Sequence, residues 1–335
     1  MNVSAIKLEK NISRPDILFG VARVPGTSKA FVGGSDFKIH EIDIDAAKPE
    51  SRTLQSAHET YITTLALAGD SIISGGYDGK LIWTKASTGE RIRDLPAHGR
   101  AVRKVAISPD RATAVSVADD MAIRFWNVAD GRKIREITGE HQPLTPQGFR
   151  SMLYACAFSA DGKFLATADK TGHVVVWEAS SGKKAATLAV PVMYTWDPNA
   201  RRHSIGGPRS VAFSPDGSLL AIGGTGKIGN IDHLEADGRV EIFRWAKGDK
   251  GEKVHDFITE GKKGLVEHLE FHPGGDILLA AGGAGEGFLS FIDLKQKKIV
   301  HQEKSPMNIH AVATADSMKS IVAVGHQRVV KFVVG

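Results

Sequence analysis

The sequence contains a single cysteine, Cys156, among its 335 residues. An intramolecular disulfide is therefore excluded, and the cysteine content does not point to an oxidising compartment. Linkers rich in proline or serine are also missing, and no segment reaches the roughly 18 apolar residues that a membrane helix needs. The polar residues 1–11 lack the apolar stretch of a signal peptide. These absences predict one domain over residues 1–335, with no membrane span and a cytoplasmic location.

A strong charge of either sign is missing as well. The 43 lysines and arginines exceed the 38 aspartates and glutamates by five, which is a mild excess for this length. Spread evenly, this charge would serve solubility, whereas gathered on one face it would attract phosphate or acidic protein. The composition alone leaves both distributions open.

An internal repeat is the main feature that the sequence does have. Each copy begins with a β-branched run, a turn of the Ser-Pro-Asp-Gly type and a second β-branched run. Proline presets the dihedral angle of such a turn, and aspartate and glycine tolerate the tight conformation that follows. The clear copies are 105–110, 156–162 and 211–217, and the weaker ones are 269–275, 23–27, 67–70 and 313–317.

Two further short strands complete each repeat. The second strand ends in small residues, the third often ends in an aromatic residue such as Trp83, Trp126 or Trp177, and a short fourth strand follows. Four antiparallel strands repeated seven times predict an all-β fold, a seven-bladed β-propeller. The last repeat lacks a fourth strand, and Ala5–Glu9 resembles the fourth strand Lys133–Ile137. We therefore expect the N-terminal strand to close the last blade.

The repeats resemble those of the WD40 family over nearly the whole chain. In that family four side chains form a hydrogen-bonded quartet: a histidine before the first strand, a serine or threonine on the second, an aspartate in the next turn and a tryptophan on the third. The resemblance implies the following quartets: His98, Ser116, Asp120 and Trp126 in repeat three, and His58, Ser74, Asp78 and Trp83 in repeat two.

Three other repeats carry the pattern in part, and the fifth repeat of the chain keeps Asp237 with Phe243 in place of the tryptophan. Repeat four keeps Thr167 and Trp177 but has Thr171 where the aspartate is expected, and its His141 lies well before the first strand. Repeat one keeps Asp36. Because a His–Asp pair satisfies its own hydrogen-bonding groups, we expect these quartets to be structural and not catalytic.

Three long insertions are predicted to carry recognition: residues 139–151, 191–208 and 225–237. The resemblance implies that they project from one face, the top face, and loops longer than about 12 residues are often functional. The second insertion contains Tyr194, Trp196, Arg201 and Arg202, residue types enriched at binding hot spots. Alternatively, Tyr194 and Trp196 pack the insertion onto its own blade.

A second set of candidate binding residues comes from counting two positions back from the core of each first strand. These rim positions are Arg103, Tyr154, Arg209, Glu267 and His310. Two arginines flanking Tyr154 would form a basic and aromatic patch suited to an acidic peptide. The alternative is that these are solvated rim residues without a partner.

The function predicted from these features is an interaction scaffold for proteins or peptides, acidic ones in particular. A propeller that binds nucleic acid or anionic lipid is one alternative. A propeller enzyme such as a lactonase-like metal hydrolase is another, but Glu267 is the one acid among the rim positions. No histidine or carboxylate cluster has metal-ligand spacing, so we predict no catalytic residues, no metal and no cofactor.

Overall fold

The structure is a computed structural model that describes residues 2–197, 199 and 201–335. The regular secondary structure of these residues is almost entirely β-strand, joined by turns and loops, with short 3-10 turns at Val3–Ala5 and Pro191–Met193. The prediction of an all-β chain built from propeller blades is confirmed. Within the described residues, no helix has the length and apolar character needed to cross a membrane.

The strands follow the chain in three groups. The first group is β1 (Lys7–Arg23), β2 (Lys29–Gly34), β3 (Lys38–Asp43), β4 (Ser51–Ala57), β5 (Ile62–Ala68), β6 (Ser71–Gly76), β7 (Lys80–Lys85), β8 (Arg91–Pro96), β9 (Val102–Ile107), β10 (Thr113–Ala118), β11 (Ile123–Asn127) and β12 (Lys133–Ile137). The second group is β13 (Leu153–Phe158), β14 (Phe164–Asp169), β15 (His173–Glu178), β16 (Lys184–Ala189), β17 (Tyr194–Asp197), β18 (His203–Gly206), β19 (Ser210–Phe213), β20 (Leu220–Thr225), β21 (Asp237–Arg244), β22 (Glu252–Lys263), β23 (Leu265–Phe271), β24 (Ile277–Ala284), β25 (Glu286–Asp293) and β26 (Lys298–Ser305). The last two strands are β27 (Ile309–Ala315) and β28 (Ser320–Val333).

The chain divides into two compact units. The terminal unit, Met1–Glu136 with Ile309–Gly335, contains a six-stranded sheet of order β27-β28-β1-β2-β3-β4 and the four-stranded sheets β5–β8 and β9–β12. The central unit, Ile137–Asn308, contains three four-stranded sheets, β13–β16, β19–β22 and β23–β26, and the hairpin β17–β18. In the four-stranded sheets the strands are neighbours in chain order, which is the topology of a propeller blade.

The prediction of seven blades is wrong, because the described strands form six. The first half of β1 pairs with β28, with Lys7 opposite Val333, and its second half pairs with β2, with Val21 opposite Val32. No loop separates the two halves, only an irregularity in register between Ser13 and Ile17. The N-terminal strand therefore does pair with the last strand of the chain, but it joins the predicted first and last blades into one six-stranded sheet.

Each core is formed by apolar residues from neighbouring sheets. In the central unit, Val174 and Val176 of β15 pack in one cluster with Val211 and Ile222 of the next sheet. In the terminal unit, Trp83 of β7 shares a cluster with residues of the sheet β9–β12. Since side chains alternate between faces along a strand, a sheet that buries both faces needs a neighbour on each. Each fully buried large apolar side chain contributes about 1.5–3 kcal/mol.

The turn between the second and third strands needs a residue with positive φ. Gly79 has φ +76° there, and its carbonyl accepts a hydrogen bond from the backbone N–H of His98 at 2.8 Å. A Cβ on Gly79 would lie 2.3 Å from the His98 carbonyl oxygen, so glycine is required. Phe37 occupies the equivalent position in the first repeat at φ 71°, and its carbonyl accepts from the His58 N–H at 2.9 Å.

Deletion of residues 2–13 tests how far the terminal unit depends on the first half of β1. The deletion removes the partner of β28, whose Val329, Val330 and Phe332 are fully buried. Exposing several such side chains costs several kcal/mol, so we expect the melting temperature to fall by about 10 °C. Differential scanning fluorimetry would measure this. The exposed edge should also promote aggregation on heating.

The matched control is Leu8→Ala, because the Leu8 side chain lies in the same segment and is 43% exposed. We expect this substitution to leave the melting temperature nearly unchanged. An equally stable deletion variant would show that the pairing of β1 with β28 is not needed by the fold.

Candidate functional site

The quartet of repeat three is assembled in the terminal unit. Nε2 of His98 lies 2.7 Å from Oγ of Ser116, and Nδ1 lies 3.0 Å from a carboxylate oxygen of Asp120. The indole N–H of Trp126 donates to Oγ of Ser116 at 2.8 Å. Burial lowers the pKa of His98 and outweighs the opposing effect of Asp120. These contacts leave no free donor on the indole and no open nucleophile, as a structural role requires.

The acid of this quartet is held ionised. Burial raises the pKa of Asp120, but hydrogen bonds from His98 and from Arg124 outweigh burial and hold this pKa far below its usual range. The guanidinium of Arg124 lies 2.7 Å from the Asp120 carboxylate. The Asp120 carboxylate therefore stays negatively charged and can only accept hydrogen bonds. Its contact with His98 fixes the orientation of the histidine ring.

The quartet of repeat two lacks its tryptophan bond. His58 contacts Ser74 at 2.9 Å and Asp78 at 3.0 Å, but the indole N–H of Trp83 donates to the carbonyl of Val128 at 3.0 Å. Trp83 pairs with Ile73, the neighbour of Ser74, whereas Trp126 pairs with the residue two before Ser116. The Asp-to-Trp interval shorter by one residue thus turns the indole to the other face of the sheet.

Repeat four forms a complete quartet that its turn pattern did not reveal. His141 contacts Thr167 and Asp169, each at 2.8 Å, and the indole of Trp177 donates to Thr167 at 2.9 Å. The expectation that Thr171 replaces the acid is corrected, because its hydroxyl donates to Asp169 at 2.7 Å. The sequence did contain a signal for Asp169 as the acid of this quartet. Asp169 is two residues after Thr167, and residues two apart share a face of a strand.

Repeat one has a variant of the same arrangement. Nε2 of His40 lies 2.6 Å from Asp36, and its Nδ1 lies 3.0 Å from the hydroxyl of Thr53. One ligand atom each from Asp16, Asp36 and His40 come within 4.8 Å of one another. Arg14, however, forms a bidentate ion pair with Asp16 at 2.8 and 3.1 Å. The donors of this cluster are thus engaged by protein groups, and we assign no metal to it.

The three long insertions meet in the central unit. The hydroxyl of Tyr194 lies 3.1 Å from the side-chain carbonyl of Gln147, which links the second insertion to the first. The backbone N–H of Ile228 donates to the hydroxyl of Thr195 at 3.1 Å, which links the second insertion to the third. Strands β17 and β18 form a hairpin within residues 191–208, of which Pro198 and Ala200 lie outside the described residues. We call this assembly of 139–151, 191–208 and 225–237 the insertion wall.

The four candidate residues of the insertion wall have different surroundings. Tyr194 is half-buried and its hydroxyl donates to Gln147 of the first insertion, whereas Trp196 is 42% exposed. Arg201 forms an ion pair with Asp232 at 2.5 Å, and Arg202 is exposed. Trp196 and Arg201 line an open cleft together with Lys227 and other residues of the third insertion.

Arg209 and Tyr154 are stacked in the central unit. The guanidinium carbon of Arg209 lies 3.5 Å from the centre of the Tyr154 ring. Nη1 of Arg209 is buried and has no hydrogen-bond partner among the described residues, and no described carboxylate forms an ion pair with the guanidinium. The Tyr154 hydroxyl lies 2.9 Å from the sulfur of Met152, which holds the ring. A charged donor group is therefore positioned by stacking and left without an ion pair.

The other rim candidates are engaged or partly covered. Arg103, in the terminal unit, forms two bonds to Asp119 at 2.7 and 2.6 Å, and it donates to the Tyr77 hydroxyl at 2.9 Å. Glu267 is half-buried on β23 of the central unit. Burial lowers the pKa of His310 to about 4, and His326 adds to this lowering. A joint patch of Arg103 with Tyr154 stays a prediction, because these residues belong to different units.

Comparison with known proteins gives both a family and relatives. The family described as WD domain, G-beta repeat matches residues 89–127 and 143–178. Apoptotic protease-activating factor 1 of Rattus norvegicus is 28% identical over 213 residues, covering 63% of this chain and 15% of the relative. U3 small nucleolar RNA-interacting protein 2 of Homo sapiens is 34% identical over 92 residues, or 27% of this chain and 19% of the relative.

A third relative belongs to chromatin assembly factor 1 of Mus musculus and is 24% identical over 229 residues, or 63% of this chain and 36% of the relative. The chain thus spans between 15% and 36% of the length of these relatives. The matched residues 89–127 include the whole quartet of repeat three, and 143–178 include the threonine, aspartate and tryptophan of repeat four.

Substitution of Asp169 tests the quartet of repeat four. Asp169→Asn removes the charge and leaves His141 with an altered partner in a site where both side chains are buried. We expect the free energy of unfolding to fall by about 1–3 kcal/mol. Urea unfolding followed by tryptophan fluorescence would measure it. Thr171→Ala, the matched control in the same turn, should cost less, and the reverse order of effects would contradict this assignment of the acid.

The pH dependence of stability provides a separate test. The pKa values of His98, His173 and His310 are all lowered, with burial as the largest cause, so the unfolded chain binds protons more readily than the folded one. The stabilisation that comes from keeping these histidines neutral is therefore complete above a pH of about 6.5. The free energy of unfolding should decrease as the pH drops below that value. The depressed carboxyl pKa values of Asp120 and Asp169 add a further loss below a pH of about 4.

Melting temperatures recorded at a series of pH values would show this decline. In the variant His310→Leu, the melting temperature should decline less between pH 6.5 and 5, because this variant removes the histidine whose lowered pKa is about 4. A melting temperature that is constant from pH 7 to 5 would contradict the assignment.

Proposed function

Because the chain is a WD40-repeat protein, we propose that it is an interaction scaffold whose central unit binds an acidic segment of a partner protein. The observation that carries this proposal is Arg209, stacked on Tyr154 with a buried Nη1 that has no partner among the described residues. A scaffold needs such a preformed contact because a rigid donor loses little entropy on binding. The names of the relatives, which include a chromatin assembly factor, support a role in assembly.

The chemistry of Arg209 selects the ligand. A guanidinium presents its donors in a planar fork that matches a carboxylate in a bidentate geometry. Stacking on the Tyr154 ring holds this fork in one orientation. Arg209 as a whole is only half-buried, and a hydrogen bond from a charged donor to a carboxylate contributes about 1.5–3 kcal/mol. An aspartate, a glutamate or a C-terminal carboxylate would each supply the acceptor.

The insertion wall supplies the rest of the proposed contact surface. Trp196 is exposed on its hairpin, and tryptophan is among the residues that carry the most binding energy at interfaces. The hydrogen bonds of Tyr194 to Gln147 and of Ile228 to Thr195 hold the three insertions together before any partner arrives. This preorganisation supports a binding role for the central unit.

Nucleic-acid or anionic-lipid binding is the second candidate. It is favoured by the name of one relative, which refers to a small nucleolar RNA. Two arginines that phosphate groups could otherwise contact are, however, already paired: Arg103 with Asp119 and Arg201 with Asp232. Pairing removes charge that phosphate groups would need, since phosphate binding depends on unpaired lysine and arginine. We propose no enzymatic role, and the cytoplasmic location stays a prediction.

Selection from a displayed library of random peptides would test the acidic ligand. We expect the purified chain to enrich sequences that contain aspartate or glutamate, and a selected peptide to bind with an affinity measurable by fluorescence anisotropy. Arg209→Ala should weaken that binding at least tenfold, because a hydrogen bond to a charged group contributes about 1.5–3 kcal/mol. Arg209→Lys should retain part of the affinity, since it keeps the charge but loses the planar fork.

The matched control is Arg244→Ala, since Arg244 is an exposed arginine of the same unit that pairs with Glu252. It should bind the peptide as the unchanged chain does. Trp196→Ala reports on the insertion wall and should also weaken binding. Enrichment of peptides without acidic residues, or equal affinities of the Arg209 and Arg244 variants, would refute the proposal. Tighter binding of a uridine oligonucleotide, lost steeply with rising salt, would favour the second candidate.

A further inference from the structure

An open cleft of about 730 Å³ lies between two neighbouring sheets of the terminal unit. Strands β2 and β3 and the residues around the start of β4 line one side, and the end of β5 with the turns at 69–70 and 86–87 lines the other. We call it the inter-sheet cleft, and the residues that characterise it are Phe31, Glu41, Asp43, Glu50, Arg52 and Asp70. Its place between two sheets makes it a concave surface that a partner can enter.

Part of the lining of the inter-sheet cleft is apolar. Val24, Phe31, Leu67 and Ala86 contribute to it, and all four belong to or pack against one core cluster of the two sheets. Phe31 is 1% exposed, whereas the other three are half-buried. The apolar core thus reaches the surface at this cleft. A long side chain with an aliphatic stem would bury its carbons against this lining.

Carboxylates outnumber cations in the lining of the inter-sheet cleft. The two cations, Lys29 and Arg52, both form ion pairs with the same acid, Glu41. The exposed Lys48 and Lys85 are near in sequence but do not line the cleft. Three further acids of the lining form no ion pair with any described residue: Asp43, Glu50 and Asp70. The cleft therefore carries an excess of negative charge that the chain does not neutralise.

Hydrogen bonds hold the two aspartates in place before any ligand binds. The Ser28 hydroxyl donates to Asp43 at 2.6 Å, and the backbone N–H and hydroxyl of Ser87 donate to Asp70 at 2.7 and 2.8 Å. A carboxylate has about four lone-pair sites, so both aspartates can accept further bonds. The hydrogen bond from Ser28 lowers the pKa of Asp43 against a smaller opposing effect of burial, so this carboxylate is ionised at neutral pH.

The acids of the inter-sheet cleft are spread too widely for one metal ion. A metal site needs several donor atoms that converge on one point. Among the described residues, the group of three such donors that come within 4.8 Å of one another is Asp16, Asp36 and His40, which lies outside this cleft. Negative charge distributed beside apolar surface suits lysine and arginine instead, because each carries its charge at the end of an aliphatic stem.

We propose that the inter-sheet cleft binds a basic segment of a partner protein, whose arginine or lysine side chains pair with Asp43, Glu50 and Asp70 and lay their stems on the apolar lining. Charge complementarity selects this partner, because unpaired carboxylates attract cations and repel nucleic acid and acidic segments. The proposal concerns the terminal unit and a ligand of the opposite charge from that of Arg209. It therefore goes beyond the proposed function and does not depend on it.

Fluorescence anisotropy with a labelled peptide of arginine and serine would test this proposal on the full-length chain, at low ionic strength because salt screens exposed ion pairs. The comparison probes are peptides of equal length with glutamine or glutamate in place of arginine. We expect the arginine peptide to bind and both others to bind at least tenfold more weakly. The double variant Asp43→Asn/Asp70→Asn should weaken arginine-peptide binding about tenfold, and Glu50→Gln roughly two- to fivefold, as the loss of exposed ion pairs does.

Two controls separate the cleft from folding and from the general charge of the chain. Asparagine keeps an oxygen that can accept from Ser28 or Ser87, so the double variant should keep its melting temperature. The matched control, Asp110→Asn/Asp130→Asn, removes the same charge from two exposed turn aspartates of the same unit that do not line the cleft. It should bind as the unchanged chain does. Arg52→Gln removes one of the two cations that pair with Glu41 and should tighten binding roughly two- to fivefold.

Equal affinities of the two double variants would overturn the proposal, because the attraction would then come from the charge of the whole unit. Equal binding of the glutamine peptide, or tighter binding of the glutamate peptide, would overturn it too. Displacement of the arginine peptide by micromolar calcium would assign the cleft to a metal ion instead. Arg209→Ala should not affect the arginine peptide, and the Asp43 and Asp70 substitutions should not affect an acidic peptide, so failure of one proposal can be told apart from failure of the other.

Discussion

The pairing register inside each sheet is the constraint on which the other features of this protein depend. Because side chains alternate between faces with a period of two, a shift by one residue moves a side chain to the opposite face. Trp126 lies on the same face of its sheet as Ser116 and completes a quartet. Trp83 is shifted by one residue relative to Ser74, so its indole lies on the opposite face and donates to the carbonyl of Val128. The same alternation presents valines such as Val174 and Val176 to the neighbouring sheet, where burial supplies most of the stabilisation.

Polar groups in this protein fall into a satisfied and an unsatisfied set, and this contrast supports the proposal that the quartets are structural and that Arg209 binds a partner. The quartets of His98 and His141 use their donors and acceptors internally, and their aspartates are held ionised. Arg103 and Arg209 occupy equivalent positions in their repeats, yet Arg103 is neutralised by Asp119 and Arg209 is stacked without an ion pair among the described residues. The unpaired guanidinium can therefore bind a ligand at lower desolvation cost than the paired one.

Much of the fold could be predicted because turns and short strands leave local signals. The Ser-Pro-Asp-Gly turns, the alternating runs and the aromatic ends of third strands located the strands of the central repeats and the quartet of repeat three. The number of blades could not be predicted in this way. Whether β1 breaks near Pro15 or continues depends on pairing with β28 and β2, which β1 meets only in the folded sheet. The acid of repeat four was missed because alignment by turn position pointed to Thr171, while the hydrogen bonds select Asp169.

The sequence by itself determined the all-β class, the repeat, the identity of most quartet residues and the three insertions, because each of these depends on residues close together along the chain. Only the tertiary structure decided that the insertions contact one another, that Arg209 stacks on Tyr154 and that Asp43, Glu50 and Asp70 line one cleft. These facts depend on distances between residues far apart in sequence. The physical reason is that local preferences set strands and turns, whereas the environment of a side chain is set by whatever the fold brings beside it.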